Sequence, residues 1–179
     1  HRTRWEYLLH SYMGGDEYRK GAYLHRYQLE TDAEYARRLE STPLNNQCKS
    51  IVSLYNSFLF RQEPERELGS IAGDSRVAAI LEDADLDGRN MDAFMREVSI
   101  WSQVFGHCWV AISKPSVSAV TLADELAQGV RPYLSVYSPL AVTDWLWARQ
   151  PNGSYALKMV KFLEEIDDTL QVVTEYTET

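Results

Sequence analysis

Apolar side chains recur at helical spacing through the first half of the chain and at alternate positions through much of the second. Met91, Phe94, Met95, Val98, Trp101 and Phe105 fall at i, i+3, i+4 and i+7, the period that gathers apolar side chains on one face of a helix. Asn90 stands where a side chain can cap the first turn, Asp92 where the helix dipole favours negative charge, and Gly106 where helices commonly end. Cys108, Val110 and Ile112 then alternate with His107, Trp109 and Ala111, which predicts a buried strand joined to the helix without a spacer. The stretch Asn90 to Pro115 therefore divides the chain into a helical part, 1–89, and a helix-plus-strand part, 90–179, of one domain.

The same pattern predicts the other elements. Trp5, Leu8, Leu9 and Tyr12 mark a first helix stopped by Gly14 and Gly15, with a charged connector running on to Tyr23 and Leu24. Thr31 and Glu34 have the spacing of a capping box, so a second helix runs to about Ser41. Leu44, Cys48, Ile51, Val52, Tyr55, Phe58 and Leu59 hold a helical period until Glu63 and Pro64, predicting the longest helix of the chain. A polar loop, Glu65 to Gly73, precedes a short helix at Val77, Ile80 and Leu81. Thr121 and Asp124 suggest a further capped helix ended by Gly129. Strands follow at Tyr133 to Tyr137, Thr143 to Ala148 and Tyr155 to Leu163, the last two joined by a Pro151-Asn152-Gly153 turn. An Asp167-Asp168 turn leads to a final strand through Tyr176. The fold class is α+β, a helical layer on a mostly antiparallel sheet.

Length and composition narrow what such a fold can do. At 179 residues with 45% hydrophobic content the chain can build one ordinary core, and no apolar run approaches a membrane span. The formal charge of -8 is the wrong sign for neutralising nucleic-acid phosphates. Cys48 and Cys108 both sit in apolar patterns, which suits two reduced, buried thiols.

Candidate chemistry is sparse. Asp83, Asp85, Asp87 and Gly88 copy the first half of an EF-hand calcium loop, the one candidate metal site in the chain. Counting Asp83 as position 1, position 12 is Phe94 where a bidentate Glu should close the shell, so a solvated acidic turn is the plainer reading and a calcium-binding interaction module the alternative. His107 and Cys108 lack the further ligands a zinc site needs, which leaves His107 as a core histidine. The acidic pairs Glu164-Glu165 and Asp167-Asp168 fit solvated edges and turns. No nucleophile elbow, phosphate loop or dinucleotide fingerprint occurs, so no catalytic residue and no cofactor site are assigned. Trp101, Trp109, Trp145 and Trp147 lack the basic neighbours of base-stacking platforms and suit core or subunit-interface anchors, Trp101 being placed in the core.

The order of short features points further. Trp5 to Gly14, Tyr23-Leu24, Glu34-Tyr35, Arg37-Arg38-Leu39, and Asn45-Asn46 opening a helix that ends at Phe60 and Pro64 together resemble the start of tailed-bacteriophage portal proteins. The Asp85 to Gly88 turn, the helix, Phe105-Gly106 and a strand ending at Pro115 continue the resemblance, as do Thr121 to Glu125, Arg131-Pro132-Tyr133, Tyr137-Ser138-Pro139 and Asp144-Trp145. The resemblance implies a non-catalytic subunit of a ring, usually of twelve copies, at one capsid vertex, through which DNA is packaged and ejected. It implies as partners further copies of the chain, the major capsid protein, a terminase that hydrolyses ATP and a head-to-tail adaptor. DNA would pass through the channel without being gripped by this segment. The chain would correspond to the outer wing, with stem and clip outside it, and would reside in the virion after synthesis in the host cytoplasm.

Overall fold

The computed structural model describes residues 1–115, 121–167 and 170–177, with the backbone alone at Leu122, Leu126, 165–167 and 170–177. Among these residues seven α-helices and two small antiparallel sheets make a mixed α+β fold, as the pattern predicts. The helices are α1 (Arg2–Met13), α2 (Gly15–Lys20), α3 (Asp32–Ser41), α4 (Gln47–Leu59), α5 (Ser75–Glu82), α6 (Met91–Phe105) and α7 (Leu122–Ala127). The strands are β1 (Trp109–Ser113), β2 (Tyr133–Tyr137), β3 (Val142–Arg149), β4 (Tyr155–Asp167) and β5 (Leu170–Thr177).

Local chemistry accounts for most boundaries. Thr31 forms the capping box, its Oγ1 accepting from the Glu34 amide while Glu34 accepts from the Thr31 amide. Thr121 and Asp124 repeat it at the start of α7. Asn90 accepts from the Ala93 amide at 2.9 Å, and Gly106 closes α6 in the left-handed region. The charged connector after Gly15 is instead helical. Asp16 and Glu17 occupy the positive end of α2, Arg19 and Lys20 its negative end, and i,i+3 ion pairs link them at 3.2 and 2.8 Å. Within the loop before α5, Gly69–Ile71 makes one 3-10 turn.

The helical layer forms around α6, at 15 residues longer than the 13-residue α4. Helices α1, α4 and α5 all pack on α6. Asn46 fastens α1 to α4: its Oδ1 accepts from the Lys49 amide at 3.1 Å, and its Nδ2 donates to the Tyr12 carbonyl at 2.8 Å. That approach requires glycine at position 14, where φ is 69° and a Cβ would lie 2.4 Å from Asn46 Nδ2. Phe94, Val104 and Phe105 are the buried residues of α6. Trp101, expected in the core, is half-buried, stacked on Phe105 with its ring N–H donating to Glu97. Met95, on the same apolar stripe, is exposed.

The strands form two sheets where one was expected. β1 pairs with β2 from Trp109 opposite Tyr137 to Ser113 opposite Tyr133; β3, β4 and β5 pair in that order. Ala111, Val160 and Phe162 are buried between them, with Trp109, Tyr137, Val142 and Leu157 around. Tyr137 stacks on Phe162 at 4.1 Å, and Trp109 meets it edge-on at 6.1 Å. β1 is not the buried strand its pattern suggests. Its inward set is Trp109 and Ala111, while Val110 and Ile112 face water, and residues 106–108 separate it from α6. The turn at Pro151-Asn152-Gly153 joins β3 to β4 as expected, closed by Gln150 N–H to Ser154 O at 2.8 Å. β4 runs to Asp167, beyond the predicted Leu163, while Asp168 of the expected acidic turn lies outside the described residues.

A separate clasp holds the segment before α3. Arg38 donates to both oxygens of Glu30 at 2.7 Å and lies over the Tyr27 ring at 4.4 Å. The guanidinium lowers the Glu30 carboxyl from its ordinary 4.5 to about 2.

Two predictions follow from this packing. Phe94→Ala should cost about 3–5 kcal/mol in denaturant unfolding and Trp101→Ala roughly half of that, because one ring is enclosed and the other is partly in water; equal costs would contradict the assignment. Glu30 contributes stability that is complete above its unfolded pKa of 4.5 and is lost as pH falls towards about 2. The carboxyl carbon shift of Glu30 followed by NMR should therefore titrate near 2 in the native protein, and a midpoint at 4.5 would mean that the clasp is open.

Candidate functional site

The acidic turn is the first place to look for chemistry, and the carboxylates of Asp83 and Asp85 are engaged by the protein itself. Asp83 accepts from the Gly88 amide at 2.9 Å and from Arg131 at 2.6 Å. Asp85, 8% exposed, accepts from the amides of Asp87 and Arg89 at 3.0 and 3.3 Å and pairs with the Arg89 side chain, which also reaches Glu97. Burial pushes the Asp85 carboxyl up, but the Asp87 amide and the Arg89 guanidinium outweigh it, so the group sits below its ordinary range. Asp87 is exposed. Among the described residues no group of three or more His, Cys, Asp or Glu side chains is placed to hold a metal. Position 12 of the would-be loop, Phe94, is buried in the core.

The turn does something structural that its composition does not announce. Ala84, at its centre, is fully buried; its N–H donates to the Arg89 carbonyl at 2.6 Å and its C=O accepts from Leu134 on β2 at 2.8 Å. Leu86 adopts φ of 70°, a left-handed conformation for a branched side chain, within this closed loop.

The remaining candidates separate. His107 is not a core histidine: it is exposed, its ring edge-on to Trp5 at 5.7 Å. Cys48 is exposed and Cys108 half-buried beside Ser102; both are free thiols. Glu164, expected at a solvated edge, is half-buried and accepts from the Tyr137 hydroxyl; the Glu165 side chain is among those not described. Trp109 packs at the sheet core, whereas Trp145 and Trp147 are 46 and 52% exposed.

What the fold leaves open is apolar. Leu44 and, on α4, Ile51, Leu54, Tyr55, Phe58 and Leu59 are between 37 and 66% exposed. No residue of α4 is fully buried, and its least exposed positions, Val52 and Asn56, mark the side turned to the rest of the layer. A second open face lies on the β3–β4 hairpin. Trp145 stands opposite Val160 and Trp147 opposite Leu157, so both tryptophans share the face on which the sheet core is built. Beyond the part covered by β1 and β2 that face continues into water, ending at Tyr155, 67% exposed.

The breadth of the α4 pattern signals this exposure. With each residue turned by ~100°, the apolar set from Leu54 to Val52 spans an arc of roughly 160°, wider than one packing partner covers. Arg131 with Asp83, 48 positions apart, had no comparable signal.

Neither protein-family models nor curated proteins match this chain. Its surfaces and side chains carry the functional reading. Among the described residues no helix is long and apolar enough to cross a membrane.

Asp85→Ala should destabilise the chain by about 2–4 kcal/mol, because it leaves two amides and the Arg89 Nε–H without their acceptor. Calcium titrated to millimolar levels in a calorimeter should give no saturable heat; a saturable heat abolished by Asp83→Asn would assign the turn to the cation.

Proposed function

We propose that this chain is a wing-like segment of a tailed-bacteriophage portal protein, a structural subunit of the ring at one capsid vertex. The observation that carries this reading is the pair of apolar faces left open on α4 and on the β3–β4 hairpin. Folded single chains rarely present contiguous apolar patches beyond about 300–600 Å² unless another surface covers them. The order of motifs from Trp5 to Trp145 supplies the particular family, and the α+β layout agrees with it.

The role is scaffolding. Rigid helix caps, the Asp83 to Arg89 turn and the Tyr137–Phe162 stack hold surfaces in fixed relation, which suits a part that must repeat identically around a ring. A net charge of -8 suits a segment past which DNA moves without being held. The protein would sit at the portal vertex of the virion after assembly in the host cytoplasm. Its neighbours would be other copies of itself, the major capsid protein, a head-to-tail adaptor, and the terminase that supplies ATP hydrolysis.

Electron micrographs and native mass spectra of the assembled protein should show closed rings of a single copy number near twelve. A monodisperse monomer under all assembly conditions would overturn the proposal.

A further inference from the structure

The geometry points to a head-to-tail contact between copies in which the α4 ridge of one chain covers the open face of the β3–β4 hairpin of the next. This rests on the assembly reading above and names the two surfaces that meet.

Area is the first argument. The exposed fractions of the six residues from Leu44 to Leu59 amount to roughly 700 Å², close to the ~800 Å² that each partner gives to a standard interface. Trp145, Trp147 and Tyr155 add roughly 450 Å² on the hairpin, so that the two faces together clear the ~1,000 Å² expected of a specific contact.

Shape agrees. Ile51, Leu54, Tyr55 and Phe58 form an i, i+3, i+4, i+7 ridge on a helix, and a helix laid on the apolar face of a sheet is an ordinary layer packing. The hairpin face is an extension of a core already formed by Val160 and Leu157, so a helix placed there continues existing packing.

Symmetry separates this contact from the simpler alternative. A two-fold α4–α4 pair would cover one face and leave Trp145, Trp147 and Tyr155 in water. Pairing unlike faces covers both, and such a heterologous contact repeats from copy to copy until it closes a ring or extends as a filament.

Two charge insertions test the polarity of the contact by sedimentation velocity on the full chain. Phe58→Glu and Trp147→Glu lie at exposed positions; circular dichroism and melting temperature check that each variant folds, and Tyr155→Glu replaces Trp147→Glu if the latter melts early. Wild type should self-associate, each variant alone should run as a monomer, and an equimolar mixture should form a dimer that grows no further, since it retains one intact ridge and one intact hairpin face. A Trp147→Glu variant that still dimerises alone would show a two-fold α4 contact and overturn the proposal. So would a monomeric wild type at the highest attainable concentration, or assembly unaffected by both substitutions. Rings that persist with both substitutions present would remove this contact while leaving the portal reading in place; head-to-tail dimers from a protein that forms no rings would do the reverse.

Discussion

Asp85 is the group on which the arrangement of this chain most depends. A buried carboxylate must be matched by donors, and the donors it finds, the amides of Asp87 and Arg89 and the Arg89 guanidinium, fold the linker between α5 and α6 into one closed turn. Closing the turn presents the Ala84 carbonyl to Leu134 and brings Asp83 to Arg131, so that this loop ties the helical layer to the first sheet. An acidic sequence that looks like half of a cation site is therefore satisfied by arginines of the same chain, and the result is a joint between layers.

Features set by neighbours in sequence were legible. The Thr31–Glu34 and Thr121–Asp124 boxes, the Asn90 cap, the Gly106 stop and the Pro151 to Gly153 turn each involve residues a few positions apart, and each stands where the pattern predicts. Features set by coverage were not. Alternation along β1 shows that Val110 and Ile112 share a face, but which face is covered depends on where Val160 and Phe162 arrive from the far end of the chain. On α4 the wide apolar arc signals an open side, but that α1 and α6 take the opposite one is not written in the pattern. The α2 helix escaped notice for a different reason: it has almost no apolar content and is supported by its end charges and i,i+3 pairs.

The same distinction separates stability from function in this molecule. Its enclosed groups, Phe94, Phe162, Ala84 and Asp85, hold the two layers together. Its open groups, on α4 and on the hairpin, contribute little to the isolated chain and present apolar area of the size that specific contacts use. A scaffold assembled from many copies needs both: a joint stiff enough to fix the angle between surfaces, and surfaces whose burial waits for a neighbour.

Hydrogen–deuterium exchange followed against protein concentration tests that division most directly. As copies associate, peptides covering 47–59 and 142–157 should gain protection together, while the turn over 83–89, which belongs to neither open face, should be unchanged. Protection that rises elsewhere, with both of these segments unaltered, would contradict the account.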